Sequence, residues 1–166
     1  MNAREAILSR LKDDSEVDIA AEAAALLGTP ERPAVDVAQV EAEFLARLAL
    51  PSVSASHDVI ETIEELPEAV ARYLDAQGEA RALCLPPDPR LSGCDWSGFA
   101  LHQDAAPDEA ATLAIARKGI AETGSLIFET SPQAPMLPNF LTLHHLVLLR
   151  VADIVPWLEE GPLDGP

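Results

Sequence analysis

From Pro51 onward, short apolar runs of strand length alternate with helical segments and with loops closed by glycine and proline. Few architectures satisfy such an alternation. Thr62 to Gln77 has helical spacing and stops at Gly78. Ala80 to Leu85 reads as a buried strand closed by Pro86-Pro87-Asp88-Pro89, and Ala111 to Ala116, Ser125 to Glu129 and His144 to Val151 read as further strands. Val53-Ser54-Ala55 resembles a short strand, and Asp153 is placed to cap a closing helix from Ile154 to Glu160, limited by Pro156 near its start. Strands that are apolar on both faces belong to parallel sheets covered on each side. The expected fold class is therefore α/β, an open and mostly parallel sheet flanked by helices.

Ahead of the sheet, Ile7, Leu8 and Leu11 share one helical face, and a second Ala- and Leu-rich helix runs from Ile19 to Leu27 and stops at Gly28. Asp36 is placed to cap a third, carrying Val37, Val40, Phe44 and Leu48. Residues 1–50 are thus expected to form an N-terminal helical arm and residues 51–166 the sheet core of a single domain. The arm either packs on the sheet or serves as a surface for homo-oligomers. A length of 166 residues with 48% apolar content suits one globular domain. No run reaches the length of a membrane span, and the N-terminus lacks the apolar stretch of a secretory signal. A cytoplasmic location is expected.

The chain carries a formal net charge of −17, which repels phosphate backbones and argues against nucleic-acid binding. That charge is unevenly spread. Between Ala110 and Ala152 the charged residues are Arg117, Lys118, Arg150, Glu122 and Glu129, a local net of +1. Either this stretch is the buried centre, or it meets a small anionic ligand or a partner surface. Cys84 and Cys94 match no metal-binding spacing and are expected as reduced thiols. His57, His102, His144 and His145 form no HxH or HExxH pattern, so no metal is expected. No GxGxxG, P-loop or GxSxG element is present.

The residues most suited to chemistry lie in Gly119-Ile120-Ala121-Glu122-Thr123-Gly124-Ser125-Leu126-Ile127-Phe128, a tight bend running into an apolar strand. Glu122, desolvated by apolar neighbours, is the catalytic candidate as general acid or base, or as an acyl-accepting nucleophile. Thr123 and Ser125 offer hydroxyls to a carboxylate or phosphate beside Gly124. The alternative is structural: the acid accepts main-chain N–H groups and the hydroxyls hold the turn. The Pro-rich passage Ser131 to Pro138 is expected to wrap over the sheet edge, as a lid, a docking surface or a stiff crossover.

Ile120-Ala121-Glu122-Thr123-Gly124-Ser125, the Pro/Leu-rich stretch and His145-Leu146-Val147-Leu148-Leu149 together resemble the LUD domain, the family of the lactate utilisation protein C, also called YkgG-like. The family's I-A-E-T-G-[ST] motif is matched at every position, and His145 falls where the family has its histidine, whereas Thr142 stands where proline is common. The likeness covers Ala111 to Pro156. It implies a sheet similar to those of sugar-phosphate isomerases and CoA transferases. It also implies an accessory subunit in the oxidation of L-lactate to pyruvate, acting beside iron–sulfur oxidoreductase subunits and holding no cofactor of its own. Whether such a subunit is itself an enzyme is left open by the resemblance. The expected site comprises Glu122 with Thr123, Gly124, Ser125 and His145. The family's G-P-S-x-T-A-D-I-E segment is not matched by Gly161 to Pro166, which allows a binding or scaffolding relative. The alternative function is a protein or enzyme for a small carboxylate, acyl-CoA or phosphorylated ligand at the Glu122 bend.

Overall fold

The computed structural model describes residues 19–26, 32–53, 55–104 and 110–161. The expected helix around Ile7, Leu8 and Leu11 lies outside the described residues, as do Leu27, Gly28 and Ser54. The chain divides into two compact units, 1–32 and 33–166. In the first, α1 spans Ile19–Leu26, with Leu26 86% exposed. The third expected helix belongs to the second unit, with the sheet.

In that unit a 3-10 turn, Val37–Gln39, leads into α2, Val40–Leu48. Asp36 Oδ1 accepts from the Ala38 amide at 3.0 Å, the cap that the sequence leads one to expect. α3, Leu66–Gln77, has Pro67 in its first turn, where a missing N–H leaves no hydrogen bond unmade. It ends at Gly78, whose φ of 76° is left-handed and suits glycine.

The strands are β1 (Ala82–Cys84), β2 (Ala100–His102), β3 (Ala111–Ile115), β4 (Lys118–Ile120), β5 (Ser125–Ile127), β6 (His144–Leu148) and β7 (Ile154–Val155). Four form a sheet in the order β2-β1-β3-β6, with every neighbouring pair parallel. Alternation along β3 sends Ala111, Leu113 and Ile115 toward α3, where Leu66, Val70 and Leu74 meet Leu83 and Leu91. Leu74 and Leu83 are wholly inaccessible to solvent, and each such leucine contributes about 1.5–3 kcal/mol of burial. Thr112 and Ala114 turn to the opposite face, beside the crossover that contains the 3-10 turn Leu137–Phe140. The expected α/β class, a mostly parallel sheet flanked by helices, is the one observed.

A second sheet, β5-β4-β7, continues the first. Ala116 and Arg117 join β3 to β4, while a 3-10 turn, Val151–Asp153, joins β6 to β7. Parallel pairing thus runs from β3/β6 into β4/β7, and β4 and β5 form an antiparallel hairpin. The closing helix expected over Ile154 to Glu160 is absent. Ile154 and Val155 are β-branched residues that pair with Gly119 and Ile120, and Pro156 interrupts before the single 3-10 turn Leu158–Glu160. Val53 lies in a turn and not in a strand.

Candidate functional site

The bend from Ala121 to Ser125 joins β4 to β5. Gly124 has φ 70°, and its amide donates to Ile120 O at 2.8 Å to close the turn. A Cβ at Gly124 would lie 2.9 Å from Cβ of Arg47 on α2, and one at Gly119 would lie 2.7 Å from Leu149 Cδ2 and 3.1 Å from Phe44 Cε2. Gly124 and Gly119 therefore admit α2 and, for Gly119, the residue just past β6 at close range. Thr123 Oγ1 donates to Ser125 Oγ at 2.8 Å and accepts from the Ser125 amide at 3.3 Å, a local hydroxyl turn. Glu122 Oε1 accepts from the Leu158 amide at 2.9 Å, while the Glu122 amide donates to Pro156 O at 3.0 Å. The acid thus anchors the first amide of the 3-10 turn Leu158–Glu160, a cap supplied from elsewhere in the chain.

The structure brings Glu122, Thr123, Gly124 and Ser125 together at one corner. His145 is elsewhere, since it pairs with Thr112, which precedes Glu122 by ten residues along the β3–β4 path. Its ring lies 5.5 Å from that of Phe128, and burial lowers its pKa below the ordinary histidine value. Among the described residues, the four corner residues line neither of the two main cavities.

The first cavity lies where an open α/β sheet places ligands. β2 lies on one side of β1 and β3 on the other, so strand order reverses at β1. Ligands settle beyond the carboxyl ends of strands at such a switch point. Here a narrow crevice of about 20 Å³, room for roughly one water, is lined by Cys84, Asp88, Gln103, Thr112, Glu129 and Asn139, with Met136 and Pro138 on the crossover wall. Thr112 is 1% exposed, and its hydroxyl donates to Cys84 O at 3.3 Å, tying β3 to β1 at the crevice floor. The crossover is stiffened by reciprocal bonds, Ser131 N to Ala134 O at 3.2 Å and Ala134 N to Ser131 O at 3.0 Å.

Both crevice carboxylates are paired with arginines. Arg90 donates Nε to Asp88 Oδ1 at 2.9 Å and Nη2 to Oδ2 at 2.6 Å, and this guanidinium holds the Asp88 carboxyl below the usual carboxylate range. Arg117 lies 3.2 Å from Glu129. Nearby, Asp153 receives Lys118 at 3.6 Å and Arg150 at 3.5 Å, and Arg90 also feels the Asp153 charge. Four of the eleven Lys and Arg residues thus leave the carboxyl ends of β1, β3 and β6, in a chain of net charge −17. The sequence reading missed the crevice because its residues come from five separate segments. The one local signal was Asp88, fixed between prolines after a buried strand and two residues from an arginine.

A second, wider groove of about 800 Å³ runs between α2, α3, residues 55–60 and β6. In it Tyr73 Oη and His144 Nδ1 are 3.0 Å apart, and His144 Nε2 is 3.9 Å from Glu79 Oε1. This cluster ties the end of α3 to the start of β6. Among the described residues, no group of three or more His, Cys, Asp or Glu is placed to hold a metal ion, and no helix is long and apolar enough to cross a membrane.

A solved structure shares this fold: the 1.70 Å crystal structure of a DUF162 family protein from Deinococcus radiodurans. It superposes with a TM-score of 0.60 at 19% identity, covering 77% of this chain and 79% of that one. A likeness at that identity establishes the fold. No protein-family model matches the chain, and no curated protein matches it.

Proposed function

We propose that this chain is a LUD-type subunit that binds a small carboxylate in the crevice beyond β1 and β3. In this reading it serves an assembly oxidising L-lactate to pyruvate in the cytoplasm, beside iron–sulfur oxidoreductase subunits. The observation that carries the reading is the fold shared with a DUF162 protein, DUF162 being the LUD domain family, in a chain that also holds the I-A-E-T-G-S motif. The crevice supports the ligand class. At its mouth, an arriving carboxylate would exchange with the half-exposed Glu129 for the forked donors of Arg117, and bidentate recognition of carboxylates is what arginine does best. In this reading Glu122 and its hydroxyl neighbours shape the corner that α2 packs against and do not touch the ligand.

Thermal unfolding in the presence of L-lactate, pyruvate, inorganic phosphate and coenzyme A tests the ligand class. A true ligand at a hundredfold over its Kd stabilises by about 2.7 kcal/mol. We expect a small carboxylate to do so and Arg117→Ala to remove the effect. Failure of every small carboxylate to raise the melting temperature would refute the crevice reading. Recovery of the tagged chain from its own cells without any iron–sulfur subunit, with growth on lactate unaffected by its deletion, would refute the assembly reading.

A further inference from the structure

Among the described residues, β6 is the outer strand of the four-stranded sheet and pairs with β3 alone. The His144 amide donates to Ala110 O at 3.0 Å, and Leu148 O accepts from the Ala116 amide at 3.0 Å. In a parallel ladder the N–H and C=O of one residue point to the same side. His144, Leu146 and Leu148 are therefore committed to β3, and the main-chain groups of His145, Val147 and Leu149 point away from it. Among the described residues, no hydrogen bond reaches those outward groups. Proteins ordinarily blunt such an edge with proline, a bulge or a charged side chain. The run His144-His145-Leu146-Val147-Leu148-Leu149 holds no proline and no formal charge until Arg150. Beside it lies the wide groove, walled by apolar side chains such as Leu45, Val59 and Ile60, and Leu143 and Val151 stand 59% and 52% exposed at the two ends of the strand.

Two features select the occupant. The outward groups sit at alternate positions symmetric about Val147, so they complement themselves under a twofold axis. Antiparallel pairing centred there sets Val147 against Val147 of the second copy and His145 against Leu149 of the second copy. It also brings exposed Leu143 toward Val151 of the second copy. The charge distribution agrees, because β6 carries no formal charge in a chain of net charge −17, and the charged side chains of the groove beside it, Glu41, Asp58 and Arg72, sum to only −1. We propose that two copies of this chain associate by antiparallel pairing of their β6 edges, joining the two four-stranded sheets into one. The crevice beyond β1 and β3 is not part of this interface, so the inference stands apart from the proposed function.

Light scattering on the full chain across a range of concentrations and salt tests it. A monomer-to-dimer transition is expected, moving to lower protein concentration as salt screens the acidic surfaces. Val147→Pro deletes one outward N–H and no bond to β3, and should raise the dimer dissociation constant roughly tenfold or more while the monomer's circular dichroism is unchanged. A second variant decides the matter should the proline disturb folding. Directly opposed antiparallel residues have Cα atoms about 4.5–5.5 Å apart, within disulfide range. Val147→Cys should therefore give a covalent dimer on oxidation, and Leu143→Cys, off the axis, should not. A chain that is monomeric at all concentrations overturns the proposal, as does equal cross-linking at both positions. So does a monomer that protects His145, Val147 and Leu149 from amide exchange only on adding an unrelated Val/Thr strand peptide, which would assign the edge to a foreign strand.

Discussion

Replacing Glu122 separates a corner that holds the fold from a corner that binds. Its Oε1 accepts the Leu158 amide at 2.9 Å, the first N–H of the 3-10 turn Leu158–Glu160. Loss of an N-terminal cap costs about 0.5–2 kcal/mol, and a bond to a charged acceptor about 1.5–3 kcal/mol. The bond is solvent-exposed, so the lower end applies, and Glu122→Ala should lose about 1 kcal/mol. In a domain of this size that lowers the melting temperature by roughly 3–5 °C. Glu122→Gln retains a carbonyl acceptor of the same reach and should lose less than about half as much. Urea titrations of the three proteins, read as a shift of midpoint at constant slope, give both values. A Glu122→Ala protein as stable as the parent would refute the capping argument. A Glu122→Gln protein of parental stability that no longer responded to an added small carboxylate would refute the location of the site, returning it from the crevice to the bend.

Gly124→Ala combines a left-handed φ of 70° with a Cβ 2.9 Å from Arg47 Cβ, and should cost roughly 2 kcal/mol or more, seen in the same urea assay. Gly119→Ala drives a methyl to 2.7 Å from Leu149 Cδ2 and should destabilise by about 1–3 kcal/mol through overpacking against Leu149 and Phe44. Asp88 has its folded pKa lowered by Arg90, so its contribution is complete above the unfolded value near 3.9 and is lost as pH falls through the lower folded one. Arg90→Ala should accordingly flatten the acid limb of stability below about pH 4, measured by unfolding across pH. His145 has its folded pKa lowered by burial, so the unfolded chain binds the proton more readily, and stability should fall as pH drops through about 6.5 and level off below the folded value. His145→Gln should remove that limb.

What the sequence reveals follows from how far apart its signals lie. β3 and β6 are five-residue apolar strands, and α3 carries Leu66, Val70 and Leu74 at helical spacing before a glycine stop, so each announces itself within a short window. β2 and β4 span three residues each, Ala-Leu-His and Lys-Gly-Ile, and their pairing partners, not their composition, make them strands. The closing segment was misread for the same reason. Ile154 and Val155 fit a helix start after Asp153 until Gly119 and Ile120 lie alongside, 35 residues away in register. The candidate site divides in the same way. Gly119 and Gly124 signal close backbone approach, but a glycine that admits α2 and a glycine that admits a ligand leave the same trace in a sequence. Only the neighbour at 2.9 Å tells them apart.

The proposed function puts the ligand at the carboxyl edge and not at the corner, and the polar groups of the two places have different partners. At the corner every polar group with a described partner is engaged by the chain itself: Glu122 by Leu158, Thr123 by Ser125 and Gly124 by Ile120. At the crevice the charges are satisfied by exchangeable partners. Arg90 pairs with Asp88, which is only 10% exposed, and also feels Asp153, whereas Arg117 faces Glu129 and both are half exposed. The exposed Arg117–Glu129 pair contributes only about 0–1 kcal/mol, so an incoming carboxylate that offers the same fork displaces Glu129 at little cost. A fold with net charge −17 that gathers four of its eleven cations at one sheet edge has arranged the local field against its own average. Neutralising them should then separate two roles. If the cations only offset Asp88, Glu129 and Asp153, the Arg90→Ala and Arg117→Ala pair will lose stability and leave ligand response intact. If they receive an anion, the response will vanish already in Arg117→Ala, while its stability falls by no more than about 1 kcal/mol.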